Sequence, residues 1–183
     1  MDVFLIKTKL KNEFPLTQRA IQPYPKKAAV LVILYPKNNK THVLMTKRAL
    51  HLRSHAGEIS FPGGVYEEDN DTDLLATALR ETTEEVGANI EASKVIAELP
   101  VVKTRFGFEI TPFVCVISKT LEFEPEADEV AEILEIPFTS LLASQQQDGF
   151  SPEKDIVVYW FKHHRIWGSS AKILLKIQQL SVY

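Results

Sequence analysis

A single cysteine, Cys115, leaves no partner for an intramolecular disulfide in this 183-residue chain. Its setting, Phe113-Val114-Cys115-Val116-Ile117, is that of a buried core thiol rather than a nucleophile. Basic residues are not in excess. Lys and Arg number 21 against 24 Asp and Glu, a formal net charge of −3, which argues against broad electrostatic binding of nucleic acid. An anionic substrate would therefore need a metal or a local basic cluster to offset repulsion. Long apolar runs are missing too: the longest, residues 28–35, falls well short of the ~20 residues that cross a bilayer, so no membrane contact is expected. The start, Met1-Asp2-Val3-Phe4, lacks the basic-then-apolar order of a signal peptide, and the expectation is a cytoplasmic protein. Seven glycines and ten prolines are too few for a collagen-like or low-complexity chain. The length suits one compact domain at ~150 residues each, with short extensions.

Residues 28–35 (AAVLVILY) read as a buried strand, and residues 42–46 return from a turn at 36–40 as its hairpin partner. Residues 50–57 are polar and irregular. Ile59-Ser60-Phe61 is a short strand stopped by Pro62-Gly63-Gly64, with Phe61 assigned to the core. An acidic loop over 67–73 leads to a helix capped by Asp71 or Thr72 and stopped by Gly87. Strands are expected at 95–103, 108–117, 132–136 and 156–161. Pro137 opens a helix through Leu142, and Ser169 or Ser170 caps a final helix in which Ile173, Leu174, Ile177 and Leu180 keep helical spacing. Residues 1–25 form an extension before the domain at 26–183. The fold class expected is α+β, with helices on a mixed sheet.

The most informative stretch is Leu79-Arg80-Glu81-Thr82-Thr83-Glu84-Glu85-Val86-Gly87. At about 100° per residue, Glu81, Glu84 and Glu85 share one helical face, while Leu75, Leu79 and Val86 lie near the opposite one. A charge run is usually a solvated face. Here three carboxylates repel one another, two of them sit near the helix C-terminus where negative charge is disfavoured, and the face has no lysine. A hard cation bound by carboxylate oxygens would relieve both problems.

Together with the preceding glycines, residues 63–87 resemble the Nudix box: a glycine, an acidic loop, then a helix with Arg-Glu, two spacers, Glu-Glu, a spacer and Gly. The helical half, Arg80 to Gly87, is intact. The loop is two residues longer than the plain pattern, which leaves Glu67, Glu68, Asp69, Asp71 and Asp73 as candidates for the box's first Glu. Upstream, Leu44-Met45-Thr46-Lys47-Arg48-Ala49, Arg53, His55, Gly57, Phe61 and Pro62-Gly63-Gly64 resemble the segment before the box in Nudix coenzyme A diphosphatases, whose acidic loop is also longer. Residues 104–117, 129–137 and Ile166-Trp167-Gly168 resemble further segments of those enzymes, so the resemblance spans about residues 28–178.

The resemblance implies a Nudix fold, an α/β/α sandwich around a mixed β-sheet. It also implies Mg²⁺ or Mn²⁺ and hydrolysis of the diphosphate of coenzyme A or its thioesters to 3′,5′-ADP and (acyl-)4′-phosphopantetheine. Glu81, Glu84 and Glu85 become metal ligands with the Gly64 carbonyl. The catalytic set is Glu81, Arg80 and Glu85: Glu81 alternatively accepts the proton of the attacking water, and Arg80 orients a neighbouring carboxylate by bidentate pairing. Arg48, Arg53 and His55 are the candidates for binding the substrate's phosphates. Glu126, Asp128 or Glu129 could complete the metal or base set. His163, His164 and Arg165 either meet an anionic ligand or form a solvated end. The partner expected is a small nucleotide, coenzyme A or a derivative, with no nucleic acid and no membrane, and a homodimer is left open. Alternatives are a Nudix hydrolase of ADP-ribose or another nucleoside diphosphate derivative, and a Nudix-fold binding module without catalysis.

Overall fold

The structure, a computed structural model, describes residues 3–16, 26–149 and 156–180. In chain order its elements are α1 (Val3–Glu13), β1 (Lys27–Lys37), β2 (Lys40–Arg48), β3 (Ile59–Ser60), β4 (Gly63–Val65), α2 (Leu74–Val86), β5 (Val95–Glu98), β6 (Val102–Lys103), β7 (Glu109–Val116), β8 (Val130–Pro137), α3 (Phe138–Ala143), β9 (Gln146–Gln147), β10 (Val157–Phe161), β11 (His164–Ile166) and α4 (Gly168–Gln179).

The apolar run of β1 forms the centre because both its faces are covered, the condition under which a strand is continuously hydrophobic rather than alternating. Val32 and Leu34 join one core cluster with residues of α1, α3 and α4; Leu31, Ile33 and Tyr35 join a second with Ala78 and Val86 of α2. The sheet is thus sandwiched between helices. It is mixed: β1 pairs parallel with β7, from Lys27↔Glu109 to Leu34↔Val116, and antiparallel with β2 and β4. The main order is β3-β2-β1-β7-β5, with β8 on β2 and β6 on β7. A separate three-stranded sheet runs β11-β10-β9. The fold is α+β, as expected. Among the described residues no helix is long and apolar enough to cross a membrane.

Several local expectations are corrected. The Pro62-Gly63-Gly64 stop is itself the start of a strand, β4, laid against Ala28 to Val30. The strand expected over 95–103 is divided into β5 and β6, with Pro100, which offers no ladder N–H, in the gap. In the stretch read from the sequence as an extension, α1 sends Ile6 and Leu10 into the first cluster, while residues 17–25 lie outside the described residues. Neither serine caps α4: Trp167 holds the cap position, and the Ser170 hydroxyl donates instead to the Ile59 carbonyl at 3.0 Å. Cys115 and Phe61 are in the core as expected, and burial pushes the Cys115 thiol up to about 12.

Gly63 has φ 150°, and a Cβ there would overlap the Ala29 carbonyl and the Val30 backbone. The close seating of β4 on β1 depends on that missing carbon. Gly63→Ala is expected to cost at least about 2 kcal/mol, read as a lowered midpoint in urea unfolding; an unchanged midpoint would show that β4 is not held as described.

Candidate active site

Helix α2 begins at Asp73, whose carboxylate accepts the Ala76 N–H at 2.8 Å, and ends at Gly87 in the left-handed region, φ 67°, with its N–H donated to the Thr83 carbonyl. The stop agrees with the sequence reading; the cap does not. A cap side chain must reach the N–H three residues on, and Asp73 stands three before Ala76. Asp71 lies too early and turns inward.

There it does more than a cap would. The Asp71 carboxylate, almost completely buried, accepts Arg80 Nε at 2.9 Å and Arg80 Nη2 at 3.0 Å, the two-pronged geometry that makes arginine–carboxylate pairs strong and directional. It also accepts the Thr77 hydroxyl at 2.9 Å and the Glu67 N–H at 3.0 Å. Burial alone would raise its pKa; the Arg80 bonds, the Glu67 N–H and Thr77 outweigh this and hold the carboxyl below the ordinary range. Arg80, anchored by two nitrogens, offers the third: Nη1 stands 3.0 Å from Glu81 Oε1 and 2.9 Å from Glu84 Oε2. Of the five loop acids left open by the sequence, Asp71 is thus the one paired with the helix arginine.

The three glutamates occupy three environments. Glu84 is exposed. Glu81 is partly buried against Gly64, where a Cβ would collide with its carboxylate. Glu85 is 3% exposed. The buried side of α2 comprises Thr77, Ala78, Thr82, Glu85 and Val86, with Leu74, Leu75 and Leu79 partly buried beside it. The expectation of three acids sharing one face opposite the packed one is therefore corrected: Glu85 belongs to the packed side. The face has no lysine, as read from the sequence, and the countercharge of Glu85 is Arg48. Arg48 Nη1 lies 3.8 Å from Glu85 Oε1, and the Gly63 N–H also bonds this carboxylate. Burial, then the charges of Glu81 and Glu129, push Glu85 up to about 8 against the pull of Arg48 and Gly63. Glu81 is raised too, by burial first, against the pull of Arg80, with Glu84 and Glu129 adding to the rise.

The other candidates divide. Arg48 stands against Glu85, so the structure brings it into the carboxylate cluster. Arg53 is exposed in the loop over residues 49–57 and forms no ion pair with a described residue. His55 bonds the Glu58 carboxylate through Nδ1 at 3.0 Å and meets the Phe106 ring. Glu129 acts on the cluster through its charge, while Glu126 contributes its backbone N–H to the Glu85 carbonyl. His164 is buried, its Nε2 3.4 Å from Glu132, and Arg165 pairs with Asp148 at 2.6 Å, so these two face partners within the fold. The role of Asp71 is what sequence reasoning missed.

The donor set suits a hard divalent cation. Glu85 Oε2 is buried with no hydrogen-bond partner, Gly64 leaves backbone beside the Glu81 carboxylate, and every candidate ligand is oxygen. Among the described residues the carboxylates are engaged by Arg80 and Arg48 rather than drawn together into a cluster of three.

Residues 25–166 match the NUDIX domain family. The chain belongs to the Nudix family. It is 35% identical over 160 residues to a protein described as an uncharacterized Nudix hydrolase, NudL, from Salmonella paratyphi B, covering 83% of this chain and 81% of that protein; NudL of Salmonella newport matches equally. Among solved structures, a MutT/nudix family protein from Enterococcus faecalis shares the fold with TM-score 0.64 at 13% identity, over 100% of this chain and 75% of that one. The Nudix domain of Shewanella oneidensis NrtR, solved with ADP ribose, does so with TM-score 0.62 at 13% identity, over 86% and 89%. The protein is a Nudix hydrolase acting on phosphorus anhydrides, in a family that generally uses divalent metal ions and small nucleotide-derived substrates. A binding module without catalysis is set aside.

Two outcomes are expected. Asp71→Ala removes the anchor of Arg80 and leaves the buried Thr77 hydroxyl and the Glu67 N–H without their acceptor, and should cost about 3 kcal/mol, whereas Asp73→Ala should cost about 1 kcal/mol as a lost cap; urea unfolding of both variants checks the order. The second concerns pH. A carboxyl whose pKa folding raises stabilises the protein fully below its ordinary value, and that contribution is lost as pH rises through the folded value. For Glu85 the window runs from the ordinary 4.5 to about 8. In EDTA the melting temperature should fall across that range, and Glu85→Gln should flatten the slope. An equal slope in the variant would remove Glu85 as its source.

Proposed function

We propose that the protein hydrolyses the diphosphate of coenzyme A or its thioesters to 3′,5′-ADP and (acyl-)4′-phosphopantetheine, with Mg²⁺ or Mn²⁺ held by Glu81, Glu84, Glu85 and the Gly64 carbonyl. One observation carries the reading. The stretch from Leu44 to Gly64, which resembles the segment before the box in Nudix coenzyme A diphosphatases, meets the carboxylate helix directly: Arg48 lies against Glu85, and Gly64 against Glu81.

The residues divide the work. Arg80, fixed by Asp71, holds Glu81 and Glu84 in position. A divalent cation held by these carboxylates would supply charge to neutralise the diphosphate and polarise its oxygens. Glu81 or Glu85 accepts the proton of the attacking water; burial raises the proton affinity of both, which favours that role. Arg48, Arg53 and His55 supply donors for phosphate oxygens, and Arg53, outside the carboxylate cluster, is assigned to the 3′-phosphate. The same reading takes residues 26–183 as the hydrolase domain after an extension at 1–25, and a cytoplasmic enzyme with a homodimer as the assembly to test.

The deciding measurement is product mass. With CoA and Mg²⁺ the expected products are 3′,5′-ADP and 4′-phosphopantetheine, with activity abolished by EDTA and kcat lowered at least about 100-fold in Glu85→Gln without a lower melting temperature. ADP-ribose run in parallel tests the rival specificity: faster turnover of ADP-ribose than of CoA would replace the coenzyme reading with that one.

A further inference from the structure

The arginines of the carboxylate site are turned to carboxylates, and among the described residues no aromatic ring stands with them to receive a base. The rest of the surface offers one. Phe106 is 74% exposed, the highest value among the exposed large hydrophobic side chains of the described residues, and Leu50 follows at 73%. These two belong to loops that meet. The His55 ring, in the loop over 49–57, stands edge-on to Phe106 with centroids 6.3 Å apart and planes at 78°.

Neither ring is loosely tethered. The turn that carries Phe106 is closed by three hydrogen bonds, from Thr104 N–H to the Phe108 carbonyl at 2.9 Å, from Phe108 N–H to the Thr104 hydroxyl at 3.0 Å, and from Gly107 N–H to the Thr104 carbonyl at 3.2 Å. His55 sits at φ 57°, its Nδ1 on Glu58 and its carbonyl accepting the Glu58 N–H at 3.1 Å. The loop's base is the other half of the argument. Arg48 N–H donates to the Glu58 carbonyl at 3.0 Å, Gly57 N–H donates to the Arg48 carbonyl at 3.1 Å, and the Arg48 side chain lies against Glu85. One short, closed loop therefore links Arg48, which meets the buried carboxylate, to His55, which meets the exposed ring, with Arg53 between them in sequence.

We infer that Phe106, held edge-on by His55, is the stacking platform for the nucleobase of the substrate whose diphosphate meets the carboxylates. A flat base covers the exposed ring face, and stacking of this kind tolerates any base because every base presents a π-face. The inference rests on the reading of the site as one for a nucleoside diphosphate derivative. It does not require that the derivative be coenzyme A.

Binding separates base from phosphates. Titration calorimetry in Mg²⁺ buffer compares ADP with inorganic pyrophosphate on the wild type, Phe106→Ala and Phe106→Tyr. The expected result is an ADP affinity about tenfold weaker in Phe106→Ala, largely restored in Phe106→Tyr, with pyrophosphate affinity and melting temperature unchanged in both. An unmoved ADP affinity, an equal loss for both ligands, or no ADP binding by the wild type would overturn the platform. So would self-association of the wild type that Phe106→Ala abolishes while ADP binding stays intact, because the ring would then serve a contact between copies. Should ADP respond as expected while CoA is not hydrolysed, the coenzyme reading fails and the platform stands; the reverse pattern rejects the platform alone.

Discussion

Asp71 and Arg80 join a loop to a helix through two parallel hydrogen bonds inside the protein, and the active face is arranged around that pair. With Nε and Nη2 committed to Asp71, the guanidinium plane has one orientation, and Nη1 is left where it meets Glu81 and Glu84. The loop is fixed by the same act, since Asp71 also gathers the Thr77 hydroxyl and the Glu67 N–H. A buried ion pair is a weak source of net stability, because desolvation offsets most of its attraction. Its value here is directional. It sets rotamers for side chains that would otherwise repel each other on adjacent helical turns.

The same helix places three chemically identical residues in unlike surroundings. Glu84 is solvated and paired, Glu81 is pressed against a glycine, and Glu85 is packed under Arg48. Proton affinity rises with burial, which is how one residue type can serve as ligand in one position and as proton acceptor in another. The net charge of −3 is therefore misleading as a guide to the site. Locally, two arginines are interleaved with the acids, and the balance between them changes over a single turn of helix.

Much of this was legible in the sequence. The apolar run of β1, the spacing from Arg80 to Gly87 and the αL stop at Gly87 are local signals, and they identify the sheet, the carboxylate helix and its end. What escaped was non-local. Asp71 stands nine residues from Arg80 among five loop acids that look equivalent on paper, and only the packing of Thr77 under the loop distinguishes it. Helical spacing puts Glu85 beside Glu81 and Glu84 on one face; its burial follows from the packing of α2 on β1 and β4, which the helix cannot reveal. Ser170 is a good cap by composition, but a carbonyl of β3 competes for its hydroxyl.

The parallel pairing of β1 with β7 has a consequence for how the molecule comes into being. Register partners Lys27 and Glu109 bracket Arg48, Gly64, Asp71, Arg80 and all three glutamates within one closed loop of chain. Closing so long a loop is an entropic cost that precedes any reward from the contacts it creates, and such topologies fold slowly. Each of these side chains of the carboxylate face belongs to the stretch of chain that this one strand pair closes, so the face and the centre of the sheet share a single topological boundary. A cut or an insertion between β1 and β7 therefore falls inside the segment that carries the site, whereas β8 and everything after it lie outside that loop.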